Sequence, residues 1–219
     1  MTRCETWALG EHIAEVRCFT DAGRLIQCCG HGLLCCAWQW LQLWQSRGVL
    51  TACGEQLPCH LDDGVTWVGF PALALRDCTP PDWLRSALGA CDLQVMRCAL
   101  AGPRDGYLLV ELAADTDLRS LTPPGPDIGD ATQRAIIVTC RVSALRAHAG
   151  EDIHFRYFAP QYGVREDTAT GSAMRVLAPY WHSLGVALTA LQCSPRGGLL
   201  HAHQKNGLAW LGGRVNTLQ

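Results

Sequence analysis

The sequence predicts an α+β protein in which one structural unit occurs twice. Three observations carry this. Short strand-like segments outnumber helical ones, and most of them can return antiparallel. Two long helical runs each open on a glycine turn. The residues leading into those runs also match each other from one end of the chain to the other.

Taken in order, Glu15–Thr20 and Arg24–Cys28 read as short strands bounded by turn residues. Gly30-His31-Gly32 opens a helix over Leu33–Gln45, rich in Leu, Ala and Trp and closed near Gly48. Strands follow over Val49–Cys53, Gln56–Leu61 and Val65–Phe70, and Pro80–Leu88 reads as a short helix behind a proline start. Asp92–Leu112 supplies two strands around the turn Gly102-Pro103-Arg104-Asp105-Gly106. Leu121–Gly129, with three prolines, is a loop. Strands Ala135–Val142 and Asp152–Phe158 lead to a second long helix, Gly171–Leu184, and closing strands run from Leu188 onward.

The repeat pairs Arg17-Cys18-Phe19-Thr20, Gly30-His31-Gly32 and a Trp-bearing helix with Arg156-Tyr157-Phe158-Ala159, Thr170-Gly171-Ser172-Ala173 and a helix holding Trp181. Arg47-Gly48 closes the first unit and Leu184-Gly185 the second. A duplicated lobe accounts for this, with residues 1–90 as the first lobe and 91–219 as the second, the last strands returning toward the first.

Glycine ahead of a helix lets backbone approach a ligand, and the free N–H groups of the first turn make an anion site with the helix dipole. Two such starts, at Gly30 and Gly171, suit one carboxylate held across a cleft. His31 sits at the first start, where the dipole disfavours its protonated form. It reads either as a cap or as a proton relay. Asp167, ahead of the second start, reads as a helix cap or as an acid/base partner, and Ser172 as a binding donor.

Hydrophobic residues make up 48% of 219, charged residues 17%, and the formal net charge is -2. With no block of like charge, nucleic acid and anionic membrane surfaces are poor candidate partners. No apolar run is long enough to span a bilayer and the N-terminus lacks a signal peptide's apolar core, so the expected location is cytoplasmic. The 13 cysteines are then expected as reduced thiols packed as small hydrophobes. Cys28, Cys29, Cys35 and Cys36 lack the spacing of a zinc site.

Asp152–Pro160 followed by Glu166-Asp167-Thr168-Ala169-Thr170-Gly171-Ser172-Ala173 resembles the RYFAP…EDPVTGSA signature of the PhzF-like isomerase family. Arg17-Cys18-Phe19-Thr20 and Cys29-Gly30-His31-Gly32 resemble its RxFT and CGHA elements, and Cys193–Gly198 resembles an element near its C-terminus. The resemblance implies the diaminopimelate epimerase-like fold: two pseudo-symmetric lobes, each a curved, mostly antiparallel sheet wrapped around a central helix. It places Cys4-Glu5-Thr6 where the family has SET, which makes Glu5 the match for its catalytic glutamate. It also assigns Gly30, His31, Asp167, Gly171 and Ser172 to the site between lobes. The family's further strand and helix ahead of SET have no match here, so either the chain's start is placed too late or the first lobe is shortened. A shortened lobe predicts an open sheet edge and Glu5 on a frayed end.

The expected function is a cofactor-independent isomerase that moves a proton on a small carboxylic acid, with Glu5 as base and His31 and Asp167 assisting. A homodimer is the expected assembly. The competing readings are a two-base racemase or epimerase, with Cys29 as one base and only Thr170 at the other position, and a non-catalytic acid-binding or vestigial protein.

Overall fold

A computed structural model describes residues 2–20, 22–26, 29–44, 47–181 and 188–216. Cys28, the last turn expected for the first helix at Gln45, and the Leu184-Gly185 stop expected for the second lie outside these residues. The chain runs β1 (Arg3–Gly10), β2 (Ile13–Phe19), β3 (Leu25–Ile26), α1 (Gly30–Trp44), β4 (Arg47–Ala52), β5 (Glu55–Asp62), β6 (Val65–Pro71), β7 (Leu75–Asp77) and α2 (Leu84–Ala87). It continues through β8 (Val95–Ala101), β9 (Tyr107–Leu112), α3 (Ile128–Ala131), β10 (Ala135–Arg141), β11 (Ile153–Phe158), α4 (Met174–Trp181), β12 (Leu188–Gln192), β13 (Gly198–Lys205) and β14 (Leu208–Gly213). The fold is α+β, as expected.

All strands join one sheet in the order β1-β2-β4-β5-β6-β14-β13-β12-β11-β10-β9-β8-β7, with β3 beside β2. The duplication is visible in the pairing. β2 and β4 are parallel and α1 crosses between them; β11 and β12 are parallel and α4 crosses between them. Each parallel pair then continues as an antiparallel meander, β4-β5-β6 in the first unit and β12-β13-β14 in the second. The units join where β6 and β14 pair antiparallel, with Phe70 opposite Ala209 and Val68 opposite Leu211. β5 and β13 carry the same alternation of buried and exposed positions, as the period of two dictates for equivalent strands with one face on the core. The meander turns are equivalent too. Asp63-Gly64 has φ of 46° and 71° and Asn206-Gly207 has 52° and 75°, the left-handed pair that suits a tight hairpin between right-twisted strands.

The inner face of the sheet encloses α1 and α4. Leu33, Ala37, Trp40 and Leu41 recur at helical spacing on the buried side of α1 and pack with Val16, Leu50, Leu57 and Val68. Met174, Val176 and Leu177 of α4 and Leu211 of β14 complete the same core. A second core lies on the opposite face of β8–β11, where Leu84 and Leu88 around α2, Leu118 and Ile128 cover Val110, Ile136, Val138 and Phe158. β10 is therefore buried on both faces, Ile137 toward one core and Ile136 and Val138 toward the other.

Several expected boundaries shift for packing reasons. α1 begins at Gly30, so the Gly30-His31-Gly32 turn is the helix's own first turn. Gly48 belongs to β4 rather than stopping α1. A methyl group there would come within 3.2 Å of Trp40 Cδ1, so glycine makes room for the indole. Only Leu84–Ala87 of the expected Pro80–Leu88 helix is helical, and α3 begins inside the expected loop at Ile128. β1 and β7 carry no strong strand signal in the sequence. β1 pairs with β2 from Arg3 to Gly10, with Glu5 opposite Arg17, so Glu5 stands in a paired strand and not on a frayed end. Its outer side is open, and Trp7 and Leu9 are exposed there.

On the outer face of the β6–β14 junction, the repeat brings together two histidines and two tryptophans. His60 meets Trp210 edge-on at 4.9 Å and His203 meets Trp67 edge-on at 4.8 Å, a near-symmetric quartet. Burial of the imidazoles pushes both pKa values down from 6.5; Arg47 and Lys205 add to this at His60, and His60 and Lys205 at His203. A depressed histidine pKa in the folded state means the unfolded chain takes up the proton first as pH falls. The stability these neutral imidazoles contribute is thus fully present above pH 6.5 and declines as pH drops from there through their folded values. Thermal melts from pH 7.5 to about 5 are expected to show this decline, and the His60→Gln/His203→Gln double variant is expected to flatten it.

Candidate active site

The two crossover helices begin against each other. A methyl group placed on Gly30 would lie 2.5 Å from Gly171 Cα and 2.8 Å from Ser172 N. One placed on Gly171 would lie 2.5 Å from Leu211 Cδ2 and 2.8 Å from Gly30 Cα. Neither position tolerates a side chain. The glycines are required by this backbone-to-backbone approach, a different reason from the ligand approach suggested by the sequence. Gly171, Ser172 and Ala173 form a buried 3-10 turn that leads directly into α4.

His31, the second residue of α1, points away from the core beside this contact. Its Nε2 lies 3.6 Å from Cys29 Sγ and 3.1 Å from Thr2 Oγ1. The pairing with Cys29 raises the His31 pKa despite partial desolvation, and the negative charges of Cys29, Asp167 and Cys4 reinforce the shift. The helix dipole expected to disfavour the imidazolium is outweighed, because the side chain meets Cys29 directly and lies within the field of the Asp167 carboxylate. Cys29 is held below the usual thiol range by a hydrogen bond from Cys18 and by His31, which together exceed the opposing effect of burial.

Sulfur crowds this corner. Cys4 Sγ and Cys18 Sγ are 3.1 Å apart, and a methyl group on Gly32 would meet the sulfurs of Cys4, Cys18 and Cys29 within 3.0 Å. The Cys4 thiolate is favoured by hydrogen bonds from Cys18 and Cys36, whereas Cys18, the donor, is driven upward. Cys18 has a single S–H, which points at Cys4 or at Cys29 but not at both. A cavity of about 680 Å³ opens here between β1 and α1, lined by Thr2, Cys4, Thr6, His31, Cys36 and Trp40 among others. The lining includes no lysine or arginine among the described residues.

The second helix start is braced by a polar lattice. Arg156 makes a two-pronged ion pair with Glu166, both bonds 2.7 Å, and donates to the carbonyls of Leu118 and Leu121. Gln192, fully buried, accepts from Thr170 N at 2.6 Å and donates to the Asp167 carbonyl at 2.6 Å. Ser194 Oγ donates to the Thr168 carbonyl. Asp167 is thereby fixed, and its carboxylate accepts from Thr168 N and from Thr170 Oγ1, each at 2.8 Å. It organises its own loop and does not cap the helix.

Of the residues singled out from sequence, Gly30, His31, Asp167, Gly171 and Ser172 converge on the helix contact, and His31 alone of them lines the cavity. Glu5 does not join them. Alternation along β1 turns Thr2, Cys4 and Thr6 inward and Glu5 outward, where it is half-exposed and pairs with Arg3 at 3.3 Å. The inward neighbours Cys4 and Cys18 were not recognised as site residues, although reading β1 as a strand places Cys4 on the face opposite Glu5.

Fold and site together define an isomerase- or epimerase-type scaffold, two crossover units that bring their helix starts into contact. Residues 11–208 match the family model described as "Phenazine biosynthesis-like protein", and the chain belongs to this PhzF-like family. It is 31% identical over 196 residues to an uncharacterised isomerase of Pseudomonas aeruginosa, covering 87% of this chain and 70% of that protein. It is also 31% identical over 200 residues to phenazine biosynthesis-like domain-containing protein 1 of Mus musculus, covering 84% and 68%. A PhzF-family crystal structure from Enterococcus faecalis superposes with a TM-score of 0.79 at 25% identity, over 97% of this chain and 78% of that one. The fold extends to a predicted epimerase of Pseudomonas aeruginosa, with a TM-score of 0.70 at 17% identity over 100% and 82% of the two chains.

Two expectations test this architecture. Glu166→Ala leaves the Arg156 guanidinium buried without its partner (the two side chains are 5% and 10% exposed). The expected cost is about 3–5 kcal/mol in urea unfolding. Gly30→Ala forces the helix starts apart, with an expected loss of about 1–3 kcal/mol in the same measurement.

Proposed function

We propose that this protein is a cofactor-independent isomerase that moves a proton on a small carboxylic acid, with His31 as the proton-transfer group. The observation that carries this reading is the position of His31. It lines the cavity between β1 and α1 and stands beside the contact of the two helix starts, next to Cys29 and within the field of Asp167. An imidazole whose pKa is raised by such neighbours holds a proton more readily than a free one, which suits a group that takes a proton from one carbon and returns it to another.

The substrate class follows from charge. With no lysine or arginine in the described lining, a carboxylate is best received by the free N–H groups at the helix starts around Gly30, Gly171 and Ser172. The same donors stabilise the negative charge that develops on an adjoining carbonyl or enolate oxygen as the proton leaves. Cys29 and Asp167 hold the imidazolium once formed, and Asp167 is kept in place by Thr168 N and Thr170 Oγ1. Glu5, paired with Arg3 on the outer face, has no part in this mechanism.

An epimerase acting at one carbon is the second reading, favoured by Cys29 as a thiolate at the first helix start. Its opposite number is the Thr170 hydroxyl, which already donates to Asp167, so the single-base reading is preferred. Incubation with a pool of small carboxylic acids in heavy water, read by mass spectrometry, tests both. Carbon-bound deuterium is expected, reduced by about 10²–10⁴-fold in His31→Asn and unchanged in Glu5→Gln. Loss of exchange in Glu5→Gln with full exchange in His31→Asn overturns the assignment of His31. Inversion at the labelled carbon selects the epimerase.

A further inference from the structure

Cys4 and Cys18 are direct partners across the antiparallel β1–β2 ladder. Residues so opposed have Cα atoms about 4.5–5.5 Å apart, within the range of about 4.4–6.8 Å that a disulfide spans. Both side chains turn inward, and their sulfurs at 3.1 Å are about 1 Å farther apart than the roughly 2.05 Å of a disulfide bond. Closing that gap needs side-chain rotation and no change of strand register. The two thiols are also unequal. Cys4 lines the cavity and meets solvent, whereas Cys18 is 4% exposed and lies behind it.

We propose that Cys4 and Cys18 are a peroxide-responsive thiol pair, in which Cys4 is oxidised first and Cys18 resolves it into a cross-strand disulfide. The Cys4 thiolate attacks the terminal oxygen of a hydroperoxide. The O–O bond breaks, the leaving alkoxide or hydroxide takes up a proton, and Cys4 becomes a sulfenic acid. Cys18 then attacks the Cys4 sulfur as the S–O bond breaks, and water leaves with the Cys18 proton. In balance, two thiols and one hydroperoxide give one disulfide, one alcohol or water, and one water. The hydrogen bonds from Cys18 and Cys36 that favour the Cys4 thiolate supply the nucleophile this step needs.

The pair also reaches the proposed proton-transfer site. When the Cys18 S–H turns from Cys4 to Cys29 it favours the Cys29 thiolate, which in turn supports the raised pKa of His31. A disulfide removes the Cys18 S–H, so Cys29 loses its principal donor and His31 loses part of its counter-charge. The effect on activity rests on the function proposed above; the disulfide itself does not.

The chain between them is cut by trypsin after Arg17, and cleavage after Arg3 and Arg24 puts Cys4 on residues 4–17 and Cys18 on residues 18–24. The full-length protein is treated with equimolar hydrogen peroxide, alkylated, digested and mapped by mass spectrometry. The expected product is these two peptides cross-linked, two hydrogens lighter than their sum and separated again by dithiothreitol. In Cys18→Ser, treated with excess hydrogen peroxide, the Cys4 peptide is expected to carry sulfinic or sulfonic acid instead. Wild-type protein that links Cys18 to Cys29, links Cys4 to Cys35 or Cys36, or accumulates sulfinate on Cys4 without any cross-link overturns the proposal. The map requires no turnover. A correct cross-link in a protein that exchanges no deuterium therefore leaves the thiol pair standing and removes the isomerase reading, and the converse result does the opposite.

Discussion

The constraint on which the rest of the molecule turns is the contact between Gly30 and Gly171. A single methyl group on either glycine would sit 2.5 Å from a backbone or core atom, so two peptide chains occupy space that side chains cannot share. Each glycine opens a crossover helix, and each helix spans a parallel strand pair. Where the glycines touch, the two units are set at a fixed distance. The residues around it, Cys29 and His31 on one side and Asp167 and Thr170 on the other, inherit their spacing from that contact.

The two sides of the site are held by different chemistry. Asp167 and Thr170 are locked by a buried ion pair, a buried amide and a hydroxyl that bond to backbone. Such networks have one satisfied arrangement, and departures leave buried polar groups unpaired. His31 touches Cys29, and Cys29, Cys18, Cys4 and Cys36 are linked through S–H groups that are weak donors and can be reassigned among themselves. One half of the site is therefore a rigid anchor, and the other is electrically adjustable without moving backbone.

Much of this was legible from sequence. The repeat predicted two units, because strand, glycine turn and apolar helix recur in the same order; the parallel crossovers and meanders show only in the strand pairing. The helix starts and His31, Asp167 and Ser172 followed from where a chain exposes free N–H groups. What failed was orientation. Glu5 was assigned by motif position, but a strand shows opposite faces at successive residues, and pairing of Cys4 with Cys18 turns Glu5 to solvent. The direction of the His31 shift was also illegible, since it depends on Cys29 and Asp167 coming close in space, which helix position alone does not reveal. Arg156–Glu166 and Gln192 lay inside quoted or adjacent segments, but their pairing is a property of the folded loop.

The seam between β6 and β14 carries a consequence for how the molecule is made. β14 is the last of the described strands, yet it lies in the middle of the sheet, with Phe70 opposite Ala209. During synthesis the first unit emerges with β6 as an unpaired, apolar edge, and the strand that covers it is translated only after β7 to β13. Contacts this distant in sequence slow folding, and an open edge during that delay invites pairing with other chains. The aggregation-sensitive period of this protein's life is set by the order of its strands, and it ends when the Asn206-Gly207 turn folds β14 back into the gap.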